Sequence, residues 1–188
     1  FTELSAELSA RKQQYTFYRA NILSRNKCKR YKLGDICEFQ NGFAFKSSKF
    51  HNKGIPLLRI ANIVDNKIDD NDIVYIQLKD YKEDLSSYYV YQNDIVISMS
   101  GTIGKIGINL SKNTYFLNQR VGKFIPNEKY LIGKYLYYVL LNKCSSLCNL
   151  AKGETLANLS TRDIKAIDID LPSIEEQLHT VAILDRFD

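Results

Sequence analysis

The chain changes its hydrophobic period twice, and that constrains its fold more than any single motif. Over the first twenty-odd residues Phe1, Leu4, Leu8, Tyr15, Tyr18 and Ile22 keep the spacing of a helical seam, broken only by Arg11. A helix of that length, roughly 35 Å, cannot bury such a stripe on itself. It requires a partner helix, or a seat on the rest of the chain. At the other end Pro172 precedes Ser173 and, three residues on, Glu176, the signature of a capped helix start. Ile174, Leu178, Val181, Leu184 and Phe187 then form an apolar face that is still unfinished at Asp188. The predicted organisation is a helix segment over 1–25, a globular unit over 31–171 and the start of a second helix over 173–188.

Between the helices the period drops to two. Strands are expected at Ile55–Ile63, Asp72–Gln77, Asp94–Met99, Lys105–Leu110, Tyr115–Ile125 and Ala166–Leu171, with one helix at Leu131–Ala151. The fold class is therefore α+β: a mixed, mainly β unit with one or two packed helices, carrying helices at both ends. At 188 residues and 45% hydrophobic content the chain can build a core without staples. With no initiator Met, the expectation is a fragment, or a sequence from which some residues are omitted. No apolar stretch is long enough for a bilayer, and the N-terminus is charged and amphipathic rather than signal-like. Cys28, Cys37, Cys144 and Cys148 lack the spacing of a zinc site, so no metal and reduced, cytoplasmic thiols are expected. The acidic Asp65–Asp72 segment reads as a hairpin loop; it lacks the Gly and terminal Glu of a calcium loop.

The run "MSGTIGKIG" at 99–107 invites a phosphate-loop reading and fails it. A Walker loop needs Gly at position 99, which is Met99, and Ser or Thr after Lys105, which is Ile106. The flanks are strands on both sides, so no helix N-terminus would face a phosphate. Gly101 and Gly104 read instead as turn residues, with Lys105 an electrostatic contact. Ser100 lacks the preceding Gly of a nucleophile elbow, and neither His51 nor His179 is tied to a nucleophile. No dinucleotide fingerprint and no Asn-Pro-Pro-aromatic tetrapeptide occurs. The chain is expected to be non-catalytic and to need no cofactor.

What remains is a set of polar clusters on a basic chain of net charge +5. They are Phe43–Phe50, with Lys46, Ser47, Ser48 and Lys49 between aromatics, Arg59 with Asn62, Asn118-Gln119-Arg120 with Gln119 and Arg120 as the contacts, and Ala151–Asp163, with Lys152 and Thr155 as the contacts beside Gly153. Taken singly, each reads as a solvated loop. Together they carry the side chains that read base edges and hold phosphates, which makes DNA binding the reading the residues favour. A stand-alone accessory or regulatory DNA-binding protein, an interaction module and an independent nuclease or methyltransferase are the alternatives.

Several stretches resemble the specificity (S) subunits of type I restriction–modification systems. They are Tyr31–Lys46, Gly54–Ile63, Asp94–Ile108, Phe116–Phe124, Lys152–Pro172 and Glu175–Asp188, in the family's order, with Phe1–Arg19 similar to the far end of its conserved helix. The resemblance implies one target-recognition domain reading half of an interrupted double-stranded DNA target. It implies that the terminal helices pair as an antiparallel coiled-coil-like arm and dock modification (M) and restriction (R) subunits. A complete subunit carries two recognition domains and this chain carries one. A second copy, or a second half subunit, would then join through Phe1, Leu4, Leu8, Tyr15, Tyr18 and Ile22 with Leu178, Val181, Leu184 and Phe187.

Overall fold

The computed structural model describes residues 2–24, 28–150 and 158–187. In chain order the elements are α1 (Thr2–Ser24), β1 (Lys29–Lys32), α2 (Leu33–Ile36), β2 (Cys37–Asn41), β3 (Ile55–Leu58), β4 (Ile63–Val64), β5 (Lys67–Ile68), β6 (Val74–Ile76) and β7 (Tyr89–Val90). Then follow β8 (Ile95–Ser98), β9 (Ile106–Ile108), β10 (Tyr115–Leu117), β11 (Val121–Pro126), α3 (Gly133–Leu150), α4 (Thr161–Lys165), β12 (Asp168–Leu171) and α5 (Ile174–Leu184). The mixed α+β class is as the periodicity predicts.

The strands form a six-stranded sheet in the order β2-β11-β8-β9-β5-β4, a four-stranded sheet in the order β6-β3-β10-β7, and a β1-β12 ribbon. Alternation along the strands builds the layers. On β8, Ile95 and Ile97 face the helices, packing with Leu136, Tyr138 and Leu140 of α3, while Val96 faces the other way. There it meets Leu58 of β3, Leu117 of β10 and Val121 of β11, which join the two sheets. Beyond the four-stranded sheet, Leu57, Ile76 and Phe116 close against Phe45 and Leu85. A strand buried on both faces reads as a continuous apolar run, which is why Asp94–Met99 is so legible.

Two predicted strands are broken. Ile55–Ile63 divides into β3 and β4, and Tyr115–Ile125 into β10 and β11. In both, the chain leaves the four-stranded sheet for the six-stranded one. The acidic segment is a hairpin, as predicted, with Asp65 and Asn66 at φ 46° and 63° turning β4 into β5. The glycine run also turns between strands: Gly101 and Gly104 have φ 69° and 79°, and buried Ser98 closes the turn by donating to the Thr102 carbonyl at 2.5 Å.

Helices α1, α3 and α5 pack against one another. The seam of α1 is divided along its length. Tyr15, Ile22 and Leu23 pack on the core, whereas Leu4 (74% exposed), Leu8 and Tyr18 face outward. On α5, Leu184 is fully buried and Val181 packs beside it, while Leu178 (52% exposed) points away. Phe187 is exposed at its edge yet lies 6.2 Å from the Tyr15 ring. The inward face of α5 contains a polar residue, Gln177. Its Oε1 accepts from Ile132 N (2.8 Å) and its Nε2 donates to the Tyr130 and Pro172 carbonyls (2.8 and 3.0 Å), fixing the approach to α3. Phe1 lies outside the described residues.

Candidate nucleic-acid interface

β3 and β10 are parallel neighbours, with Leu57 opposite Phe116 and Leu58 opposite Leu117. Because both then cross to the other sheet, two corners lie side by side at their C-terminal ends: Arg59–Asn62 and Asn118–Arg120. The second corner is a tight turn closed by Val121 N donating to the Asn118 carbonyl at 2.8 Å. Gln119 and Arg120 occupy its tip and are exposed. Among the described residues neither side chain has a hydrogen-bond or ionic partner. The backbone beneath is tightly packed: a Cβ on Gly42 would meet the Asn118 carbonyl oxygen at 2.1 Å, so this position requires Gly.

Gln119 and Arg120 are shared by two clefts. One, of about 370 Å³, is lined by Phe45, Ser47, Phe50, Arg59, Ile60, Ala61 and Asn118. The other, of about 630 Å³, is lined by Asn41, Met99, Ser100, Gly101, Asn158, Leu159, Ser160 and Thr161. Neither has an acidic residue in its lining. A third cleft of about 440 Å³, lined by Gln92, Asn93, Asp94, Glu128 and Lys134, carries two carboxylates. An anionic ligand is therefore favoured at the paired clefts over the third.

The predicted contact residues divide on this map. Ser47, Arg59, Gln119 and Arg120 are brought together, with Lys46 and Ser48 exposed beside Ser47. Lys49 is turned back: its ammonium bonds the Asp80 carbonyl and sits 4.4 Å from the centre of the Tyr81 ring. Burial pushes the Tyr81 phenol above its ordinary value, so the ring beneath Lys49 stays neutral. Arg59 Nη2 donates to the Asp72 carbonyl at 2.8 Å, and its Nε is buried without a partner among the described residues. Asn62 is 1% exposed, and its amide accepts from Arg59 N (3.2 Å) and donates to the Asp69 and Asn71 carbonyls (3.2 and 3.1 Å). Its bonding capacity is taken up inside the fold. Lys105 Nζ reaches the Ile63 carbonyl at 3.4 Å, away from both clefts. Lys152 and Thr155 lie outside the described residues.

Asn158, Ser160 and Thr161, from the end of the Ala151–Asp163 cluster, join the site without having been named as contacts, as do Asn41 and Ser100. The available signal was Ser160 with Asp163 three residues on, a capping box in which Asp163 N donates to Ser160 Oγ at 3.2 Å. That start brings Thr161 to the end of β2, where Asn41 lies. Ser100 is held opposite Asn158 by an antiparallel bridge, and its Oγ is buried without a partner among the described residues.

Among the described residues no three His, Cys, Asp or Glu gather as a metal site, and no helix is long and apolar enough to cross a membrane. The arrangement offers hydroxyl, amide and guanidinium groups around an exposed turn, the side chains that contact phosphates and base edges.

Comparison with known proteins agrees in sequence and in fold. The type I restriction enzyme EcoR124I/EcoR124II specificity subunit of Escherichia coli is 28% identical over 99% of this chain and 48% of its own length. The HsdS subunit of Thermoanaerobacter tengcongensis superposes with a TM-score of 0.72 at 18% identity, over 98% of this chain and 45% of that one. A chain of a type I R-M system, solved for the structural basis of its complex assembly and conformational transition, gives a TM-score of 0.77 at 19% identity, over 98% of this chain and 46% of that one. At those identities the structural likeness is one of fold. The chain spans about half the length of these relatives. With residues 25–188 also matching its sequence profile, the chain belongs to the type I restriction modification DNA specificity domain family.

Proposed function

We propose that this chain is a non-catalytic DNA-reading unit of a type I restriction–modification system, acting in the cytoplasm. Residues 31–171 read one half of an interrupted duplex target. The observation that carries this reading is the Gln119–Arg120 turn, exposed, unpartnered among the described residues and set between two clefts without acidic lining. Arg and Gln are base-edge readers, and the Ser, Thr and Asn side chains on either side suit the flanking phosphates. Lys46, Ser47 and Ser48 extend the phosphate contacts on one side. The outward residues Leu4, Leu8, Tyr18 and Leu178 are the surface for the helices of a second half and for the modification and restriction subunits.

Selection from a pool of random duplexes, followed by binding at several salt concentrations, tests the proposal. The expected result is one enriched half-site and an affinity that falls steeply with salt. Recovery of no sequence would refute it. Sedimentation of the chain with an M subunit tests the docking surface, and Leu4→Asp with Leu8→Asp should abolish co-sedimentation while leaving the fold intact.

A further inference from the structure

The larger cleft contains an amide whose hydrogen-bonding edge is already occupied in a telling way. Asn41 is exposed at the end of β2, paired across the ladder with Gly122, two residues beyond Arg120. Its Nδ2 donates to Thr161 Oγ1 at 3.0 Å, and the same hydroxyl donates back to Asn41 Oδ1 at 3.2 Å. One hydroxyl thus accepts from the amide nitrogen and donates to the amide oxygen. In the major groove adenine offers the same pair, N7 accepting and the N6 amino group donating. Guanine presents two acceptors there, and its O6 would face Oδ1 with no proton between them.

We propose that Asn41 is a specificity-determining residue that reads one adenine of the target, and that Thr161 Oγ1 stands in for that adenine in the free protein. This inference rests on the DNA-reading function above. The hydroxyl keeps the amide satisfied and oriented until the base displaces it, so little side-chain freedom is lost on binding. Thr161 is then a positioning residue, brought to Asn41 by the Ser160–Asp163 box at the start of α4.

The test uses the duplex selected by the 188-residue chain, resynthesised with 7-deazaadenine at one adenine at a time. That base pairs normally but presents C–H where N7 would accept. One adenine should emerge whose replacement weakens binding by roughly 5- to 150-fold, and Asn41→Ala should be indifferent to the same replacement. On the unmodified duplex Asn41→Ala should bind weakly and accept all four bases at that position alone. Thr161→Val, which leaves the amide unoriented before binding, should keep the adenine preference and bind roughly 2- to 10-fold more weakly. Insensitivity of the wild-type chain at every adenine, or sensitivity that persists in Asn41→Ala, would overturn the assignment. Loss of the preference in Thr161→Val would overturn the stand-in role. If no sequence is selected at all, the DNA-reading function itself fails, and this inference with it.

Discussion

The two corners at the ends of β3 and β10 occupy the same place in the fold and have opposite chemistry. At Arg59–Asn62 the polar groups are turned inward: Asn62 makes three hydrogen bonds to backbone groups, and Arg59 holds the Asp72 carbonyl. At Asn118–Arg120 only the backbone is engaged, with Met99 N donating to the Arg120 carbonyl at 2.9 Å. Its Gln and Arg side chains face solvent between the clefts. Residue type alone makes both corners look like base readers. The difference lies in Asn62, whose amide is spent on three backbone groups of the fold, against Gln119 and Arg120, which are exposed and hold nothing among the described residues.

That contrast can be broken by mutation. The largest effect is expected at Asn62. Asn62→Ala leaves three backbone groups without partners and should lower stability by about 3 kcal/mol in denaturant unfolding, without altering which sequence the folded protein selects. A changed selection would move this corner into the interface. Arg120→Ala should do the reverse. Stability should stay within about 0.5 kcal/mol, while duplex binding falls by about 1–3 kcal/mol with relaxed preference at one base pair. A uniform loss across all sequences would make Arg120 a phosphate contact instead. Arg59→Met falls between them: it removes one hydrogen bond to the Asp72 carbonyl and should lower stability by roughly 1 kcal/mol. Its duplex affinity should keep the wild-type salt slope; a slope reduced by about one unit would mean that Arg59 neutralises a phosphate. Smallest is Lys105→Met, expected to leave selection unchanged in the same assay, because its ammonium is directed to the Ile63 carbonyl.

Much of the fold was legible because its central strands are buried on both faces. The turn at Gly101 and Gly104 was legible because glycines, which take positive φ at no steric cost, lie between two strand-like flanks. The sheet crossings were not. Ile60 and Ala61 keep the first corner partly apolar, strand-like residues resume directly after Asn118–Arg120, and a local pattern does not reveal which sheet receives the next strand. Strand β1, with sequence Lys-Arg-Tyr-Lys, was invisible for the opposite reason: its burial comes from Tyr31 facing buried Ile169 across the ladder. On α5 the apolar pattern included Leu178 and passed over Gln177. Three buried hydrogen bonds outweighed hydropathy in deciding which side faces the core. At the candidate site, Gln119, Arg120 and Ser47 were legible by type, whereas Asn41 and Thr161 meet only because residues 120 apart are folded together.

The β1–β12 ribbon has a further consequence. It pairs Lys29–Lys32 with Asp168–Leu171, and two exposed ion pairs, Arg30–Asp170 at 2.9 Å and Lys32–Asp168 at 2.8 Å, lie across it. Everything between those strands, including both clefts, enters and leaves through one narrow doorway beside the helices. A chain built this way can exchange its recognition surface as one insert, provided the replacement matches this pair of short strands and the face of α3, itself between them, on which α1 and α5 pack.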